Sequence, residues 1–308
     1  MYDLMLKRIK ISITNACNLG CAHCYLSDDD YTFLDFDSIK NLLDDAKTVG
    51  VEVIDLTGGE PTMHPHFKKI VMYAYDLGFR INLSTNGLNL NDDELLSLLA
   101  ETKIECHISL DATSEEVLSR IRGEGVYTAL QNTFSTLKKR GIVYTLRFSL
   151  NKMNFKEVPA IIDYAIRTTT NISFGATQLA GHADKSMLLD NDDFNWVKTM
   201  ILAKKQDCPI AIEECFTHSF PCDGACMDIL SVNHYGQPVS CLMVAADEER
   251  EKITRSIPSA DRHNRYEKAL VDKQKLQSFS MGDKCLKCKY NYLCKSGCLV
   301  TAHTMGCV

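Results

Sequence analysis

The sequence predicts an α/β fold: a partial (β/α)6 TIM-like barrel over residues 1–205, followed by a small cysteine-rich domain over residues 206–308. Three observations carry that reading. Strand-like and helix-like segments alternate from residue 7 to about residue 205, and regular βα order calls for a parallel sheet covered by helices. Residues able to do chemistry stand at the ends of successive strands, where a right-handed parallel sheet collects its functional groups. Ten of the 14 cysteines fall after residue 205, where the alternation stops and too little apolar periodicity remains for a conventional core. Such a region folds around metal sites.

Each element has a local cause. KRIKISIT (7–14) is a strand, and residues 36–49 form an amphipathic helix stopped by Gly50. VEVIDLT (51–57) is the second strand, followed by a helix from Pro65 to about Leu77 with Gly78 as its cap. RINLST (80–85) is the third, and Asn91-Asp92-Asp93 opens a helix to about Ala100. IECHISLD (104–111) precedes helical patterns over 113–121 and 126–140. IVYTLRFSL (142–150) and NISFGAT (171–177) are the fifth and sixth strands, with helices over 155–168 and about 191–205.

Composition bounds the function. Of 308 residues, 34 are Lys or Arg against 40 Asp or Glu, a net charge of −6. That excludes a generic nucleic-acid binder, which needs a concentrated basic surface. No run of 18 apolar residues offers a membrane span. The opening MYDLMLKRIK lacks the apolar core of a signal peptide, so a cytoplasmic protein is expected. A reducing cytosol disfavours disulfides, and clustered thiols there read as ligands for a soft metal or an iron–sulfur cluster.

Cys17-Asn-Leu-Gly-Cys21-Ala-His-Cys24 is a C-x3-C-x2-C loop directly after the first strand. Three thiolates hold three irons of a cubane and leave the fourth without a protein ligand, open to a chelating small molecule. The alternative is a Cys3His zinc site using His23, but His23 adjoins Cys24, and both cannot easily turn toward one small ion. Gly58-Gly59-Glu60 ends the second strand, Ser84-Thr85-Asn86-Gly87 the third, and Ser109 and Asp111 the fourth.

The cysteine loop resembles the signature of the radical S-adenosylmethionine (SAM) enzymes. Thr57-Gly58-Gly59-Glu60-Pro61 is similar to the family's GGE motif, which implies that Gly58, Gly59 and Glu60 hold the methionine ammonium of SAM; glycine permits close backbone approach and glutamate supplies a charged acceptor. The resemblance also implies that Ser84, Asn86 and Ser109 line the SAM pocket, with Ser109 near its carboxylate or ribose. Arg122, in Ile-Arg-Gly-Glu-Gly, resembles an arginine that pairs with the SAM carboxylate through its fork of donors. His23 stands where the family often has an aromatic ring near the adenine.

Cys226-x9-Gly236-x4-Cys241, Cys285-x2-Cys288-x5-Cys294-x3-Cys298 and Cys307 resemble the seven-cysteine pattern of the SPASM extension, which implies two auxiliary [4Fe–4S] clusters and three clusters in all. An eighth ligand is expected upstream, with Cys222 first and Cys215 second. By analogy, Cys222, Cys226, Cys241 and Cys298 hold auxiliary cluster one, and Cys285, Cys288, Cys294 and Cys307 cluster two. A pair of zinc sites is the alternative for spacings of this kind.

The resemblance implies that a reduced cluster at Cys17, Cys21 and Cys24 cleaves SAM to a 5′-deoxyadenosyl radical. That radical abstracts hydrogen from an unactivated C–H, and filled auxiliary clusters relay an electron. A low-potential donor such as flavodoxin or ferredoxin is the implied partner. The expected substrate is a ribosomally made peptide or a protein, modified by a cross-link, thioether or epimerisation; the alternative is small-molecule or tetrapyrrole cofactor biosynthesis. Only about six residues precede the first strand, so leader recognition is expected from elsewhere or not at all. A non-catalytic metal-binding interaction protein is the contrasting class, against which the intact Gly58-Gly59-Glu60 and the open three-cysteine loop both argue. Cys106, Cys208 and Cys215 remain over, and Cys106 reads as a buried hydrophobe facing away from the strand ends.

Overall fold

The computed structural model describes residues 6–26, 31–205, 208–214, 229–239 and 242. Strand β1 (Arg8–Thr14) alternates so that Ile9, Ile11 and Ile13 are wholly buried on one side. Helix α1 (Phe36–Thr48) begins at Asp35, whose carboxylate accepts from the Ser38 amide at 2.9 Å and satisfies one of the free N–H groups of the first turn. Strand β2 (Val53–Gly58) runs into a short 3-10 turn (Pro61–Met63) before α2 (Phe67–Asp76). Strand β3 (Arg80–Thr85) leads to α3 (Asp93–Thr102), capped by Asp92 on the Leu95 amide at 2.8 Å. Strand β4 (Glu105–Ser109) is followed by α4 (Glu115–Arg122) and α5 (Val126–Arg140), and β5 (Tyr144–Leu150) by α6 (Val158–Thr168). Strand β6 (Asn171–Ala176) and α7 (Asn191–Lys205) complete the six expected units in the expected order.

Beyond residue 205 the described residues add to the sheet. Three further short strands, β7 (Ile212–Glu214), β8 (Ile229–Val232) and β9 (Pro238–Val239), belong to the same sheet. The sheet order is β7-β6-β5-β4-β3-β2-β1-β8-β9, parallel at every step except the β8–β9 hairpin. Strand β8 lies alongside β1 with Ile9 opposite Leu230 and Ile11 opposite Val232. These strands escaped the sequence reading because they are two to four residues long and the βα rhythm no longer frames them.

From β1 to β7 the strands are laid down in one direction. Right-handed crossovers then place the intervening helices on a single face. That face is apolar: Ile11, Leu56, Leu83, Cys106 and Tyr144 stand side by side in register and pack with the helices in one continuous core. Truncating such a residue to alanine costs about 2–5 kcal/mol. The opposite face is polar. Lys10, Asp55, Asn82 and Glu105 form one register row, Ser84, His107 and Thr145 a second, and Ser109, Arg147 and Ser173 a third nearer the strand ends. Among the described residues, no helix is long and apolar enough to cross a membrane.

Candidate active site

The loop after β1 carries Cys17, Cys21 and Cys24 and is held by backbone hydrogen bonds from three sides. Gly59 and Glu60 donate to the carbonyls of Thr14 and Ala16 at 2.8 and 2.7 Å, Ala22 donates to Ile121 of α4 at 2.9 Å, and His182 donates to Cys24 at 2.8 Å. Cys21 is buried, while Cys17 and Cys24 are half-buried. Burial pushes all three thiols above their ordinary range, Cys21 to about 11. A desolvated thiol ionises poorly alone, whereas a coordinated metal takes the proton off outright. Two donors already face the sulfurs: Asn86 Nδ2 lies 3.9 Å from Cys17 Sγ and Arg122 Nη1 lies 3.7 Å from Cys21 Sγ. Among the described residues, no three His, Cys, Asp or Glu side chains converge as a metal-ion site. The imidazole of His23 is turned to Asp111, with Nε2 2.8 Å from Oδ2. Three thiols on one loop, with N–H donors facing two of the sulfurs, have the chemistry of a thiolate-ligated group.

Gly58 and Gly59 are required by the chain itself. A Cβ on Gly58, at φ +137°, would stand 2.0 Å from the Thr14 carbonyl oxygen, and one on Gly59 would stand 2.3 Å from that of Ala16. The close approach that the sequence suggested is therefore made to the backbone of the cysteine loop. Glu60 is fully buried and accepts at Oε1 from Thr62 Oγ1 (2.6 Å), the Thr62 amide (3.2 Å) and Thr85 Oγ1 (2.8 Å), and at Oε2 from the Asn86 amide (2.7 Å). Burial raises its pKa, against the pull of these hydrogen bonds. Oε1 is saturated, and the remaining acceptor capacity lies on Oε2, toward Asn86.

A cysteine loop thus follows β1 and is pinned by a Gly-Gly-Glu turn at the end of β2. The family model described as "Radical SAM superfamily" matches residues 11–165, half of the chain. The chain belongs to the radical SAM superfamily. It is 36% identical over 157 residues to the Fe-coproporphyrin III synthase of Methanosarcina barkeri, covering 49% of this chain and 39% of that one. It is 35% identical over 126 residues to the mycofactocin maturase MftC of Mycobacterium tuberculosis (39% and 32%). To the sporulation killing factor maturation protein SkfB of Bacillus subtilis it is 30% identical over 190 residues (60% and 46%). The matches span about two fifths of the first of these curated relatives. In fold it is similar to Streptococcus suis SuiB bound to precursor peptide SuiA (TM-score 0.73, 17% identity, 95% of this chain and 72% of that one). It is also similar to anSMEcpe with bound AdoMet (0.71, 15%, 95% and 89%).

As a radical SAM enzyme, the protein uses SAM and a [4Fe–4S] cluster. Next to the cysteine loop of this radical SAM fold, Asp111 organises a buried network. Its Oδ2 accepts from Arg122 Nε and lies 2.6 Å from Nη2 and 2.8 Å from His23 Nε2, while Oδ1 accepts from the Ser149 amide at 2.7 Å. Arg122, assigned by resemblance to the SAM carboxylate, is here paired with Asp111 and beside Cys21; His23, assigned to the adenine, is likewise on Asp111. Asn86 donates to Asn18 Oδ1 at 2.6 Å, within the cysteine loop. Ser84 and Ser109 lie on the polar sheet face, toward the strand ends. Sequence reasoning missed Thr62 and Thr85, which fix Glu60, and the segment after β6 that caps Cys24; only the proximity of Thr62 to the motif could have signalled the first. Cys106 is wholly buried in the core, with its thiol pushed up to about 12, and Cys208, partly buried, packs against the core cluster. Cys215, Cys222, Cys226, Cys241, Cys285, Cys288, Cys294, Cys298 and Cys307 lie outside the described residues.

Proposed function

We propose that Cys17, Cys21 and Cys24 ligate the SAM-binding [4Fe–4S] cluster, that Gly58, Gly59, Glu60, Ser84, Asn86, Ser109, His23 and Arg122 surround SAM, and that the enzyme modifies a peptide or protein. When bound, the cluster and SAM supply a 5′-deoxyadenosyl radical that removes hydrogen from a substrate carbon. The chain's own residues do the positioning. Glu60, fixed by Thr62, Thr85 and Asn86, presents Oε2 as an acceptor for an ammonium. Donors from Asn86 and Arg122 face the thiolate sulfurs and stabilise their negative charge. The observation that carries the reading is the three-thiol loop pinned by Gly59 and Glu60 at the end of β1.

A peptide substrate is supported by the likeness to MftC and SkfB, both named for maturation. The 36% identity to an Fe-coproporphyrin III synthase favours a second reading, a tetrapyrrole substrate. The eight distal cysteines from Cys222 to Cys307 are proposed to hold two auxiliary clusters that relay an electron, and a flavodoxin or ferredoxin to deliver the first one. The test is anaerobic turnover of reconstituted enzyme with dithionite, SAM and either short peptides encoded beside the gene or coproporphyrin-type tetrapyrroles. A peptide mass change that parallels 5′-deoxyadenosine formation is expected. Turnover of a tetrapyrrole with no peptide modified sinks the peptide reading, and no SAM cleavage at all sinks the site assignment.

A further inference from the structure

The polar sheet face holds a cation that the proposed cluster and SAM residues leave unused. Arg147 is in the middle of β5, in register between Ser109 of β4 and Ser173 of β6. It therefore shares a row with a serine placed at the SAM pocket, one strand further along the sheet. Its guanidinium is partly buried and, among the described residues, forms no ion pair; Nη1 meets only the neutral Ser173 Oγ, at 3.3 Å. Glu213 of β7 continues this row beyond Ser173, and the other carboxylates of this face whose side chains are described are committed elsewhere. Asp55 is held by Arg8 and Asn82, Glu105 by His107, and Asp111 at the end of β4 by Arg122 and His23.

The direction of the side chain follows from its neighbours. A Cβ built on Gly175, two residues beyond Ser173 along β6, would stand 3.5 Å from Arg147 Nη2. The guanidinium thus lies along β6 from Ser173 to Gly175, leaning toward the strand ends, and the missing side chain at Gly175 leaves its face open. Thr177, the next residue of the same parity, is 7% exposed, and among the described residues its Oγ1 has no hydrogen-bond partner. A buried hydroxyl left unpaired costs stability, so a partner from beyond the described residues is favoured there. A guanidinium with open donors matches a planar carboxylate, which takes two parallel N–H bonds from arginine, and Thr177 offers a hydroxyl two residues beyond Gly175.

We propose that Arg147, assisted by Thr177, anchors a carboxylate of the substrate on the polar face beside the SAM pocket. The inference rests on the radical SAM fold and on the placement of SAM at the strand ends; it is independent of whether the carboxylate comes from an acidic peptide or from a tetrapyrrole propionate. Holding the substrate by one charged group in this row sets which carbon stands nearest Ser109, and so selects the site of hydrogen abstraction.

The test labels wild-type holoenzyme, reconstituted and loaded with SAM, with phenylglyoxal and quantifies modified Arg147 by peptide mass spectrometry. Glutarate is the bare carboxylate probe and glutaramide its neutral control. N-acetyl-glutamate amide and coproporphyrin III then distinguish the two sources, against N-acetyl-glutamine amide and the coproporphyrin tetramethyl ester. Arg147 is expected to be modified in the free holoenzyme and protected by at least one carboxylate probe, with no protection by its neutral counterpart. In equilibrium dialysis, Arg147→Gln is expected to weaken the protecting probe by about tenfold or more, with Arg147→Lys between the two, as loss of a charged bidentate contact predicts. Arg147 inert before any probe is added would show that a carboxylate of the chain already holds it. That result, or equal protection by the neutral analogues, overturns the proposal, and neither touches the assignment of the cluster or of SAM.

Discussion

Asp111 has no accessible surface, yet its carboxylate stays ionised between Arg122, His23 and the Ser149 amide. Burial alone would raise its pKa. The charges of Arg122 and His23 and the hydrogen bonds from His23 and Ser149 outweigh that effect and hold the group at about 2, below the ordinary 3.8. A carboxylate whose pKa is lowered by folding adds stability that is complete above its unfolded pKa and is lost as the pH falls through the folded one. The window here runs from about pH 4 down to about pH 2, and the increment is on the order of 2 kcal/mol. Asp111→Asn removes it and leaves the Arg122 guanidinium buried without its counter-charge, at a cost of about 3–5 kcal/mol at neutral pH. Urea titrations of wild type and Asp111→Asn at a series of pH values should show a gap that is wide at pH 6 and narrows below pH 4. A gap independent of pH would assign the loss to packing.

At the scale of elements, what sequence could deliver is set by how local the cause is. Asp35 and Asp92 announce their helices because a cap acts within three residues, and the βα order of six strands followed from periodicity alone. The strand β8 beside β1 did not, since a four-residue strand gains its place from a partner more than 200 residues away in the chain. The candidate site divides in the same way. Cys17, Cys21, Cys24 and Gly58-Gly59-Glu60 were legible as motifs, whereas the pairing of Arg122 with Asp111 and the cap on Cys24 are tertiary facts. That cap is made by the segment after β6. Gly181 sits there at φ +59°, and a Cβ on it would lie 2.4 Å from the Cys24 carbonyl oxygen and from the Tyr25 carbonyl carbon. Gly181→Ala therefore has to displace the segment from the cysteine loop, while Gly20→Ala, with nothing within 4 Å, should be tolerated. Reconstituted Gly181→Ala is expected to retain its circular dichroism but lose SAM-binding cluster to brief air exposure several-fold faster than Gly20→Ala. Equal loss rates in the two variants would show that the segment does not guard the cluster.

For the whole molecule, the open question is how many clusters one chain carries. The family match ends at residue 165 and speaks only for the first. The case for two more is the set of eight distal cysteines, from Cys222 to Cys307, in a region whose composition offers little else to build a core. Three cubanes require about twelve irons and as many acid-labile sulfides per chain, and a single N-terminal cluster about four. Anaerobically reconstituted wild type is expected at the higher value. Replacing Cys17, Cys21 and Cys24 together by alanine should lower it to about eight and abolish SAM cleavage, because auxiliary sites with four cysteines each would offer no open iron. Cys222→Ala should instead keep the N-terminal cluster and change the spectrum of an auxiliary one. Iron near four in the wild type, with zinc bound in place of the remainder, would leave the distal cysteines a structural module, and the product-side electron would then need another acceptor.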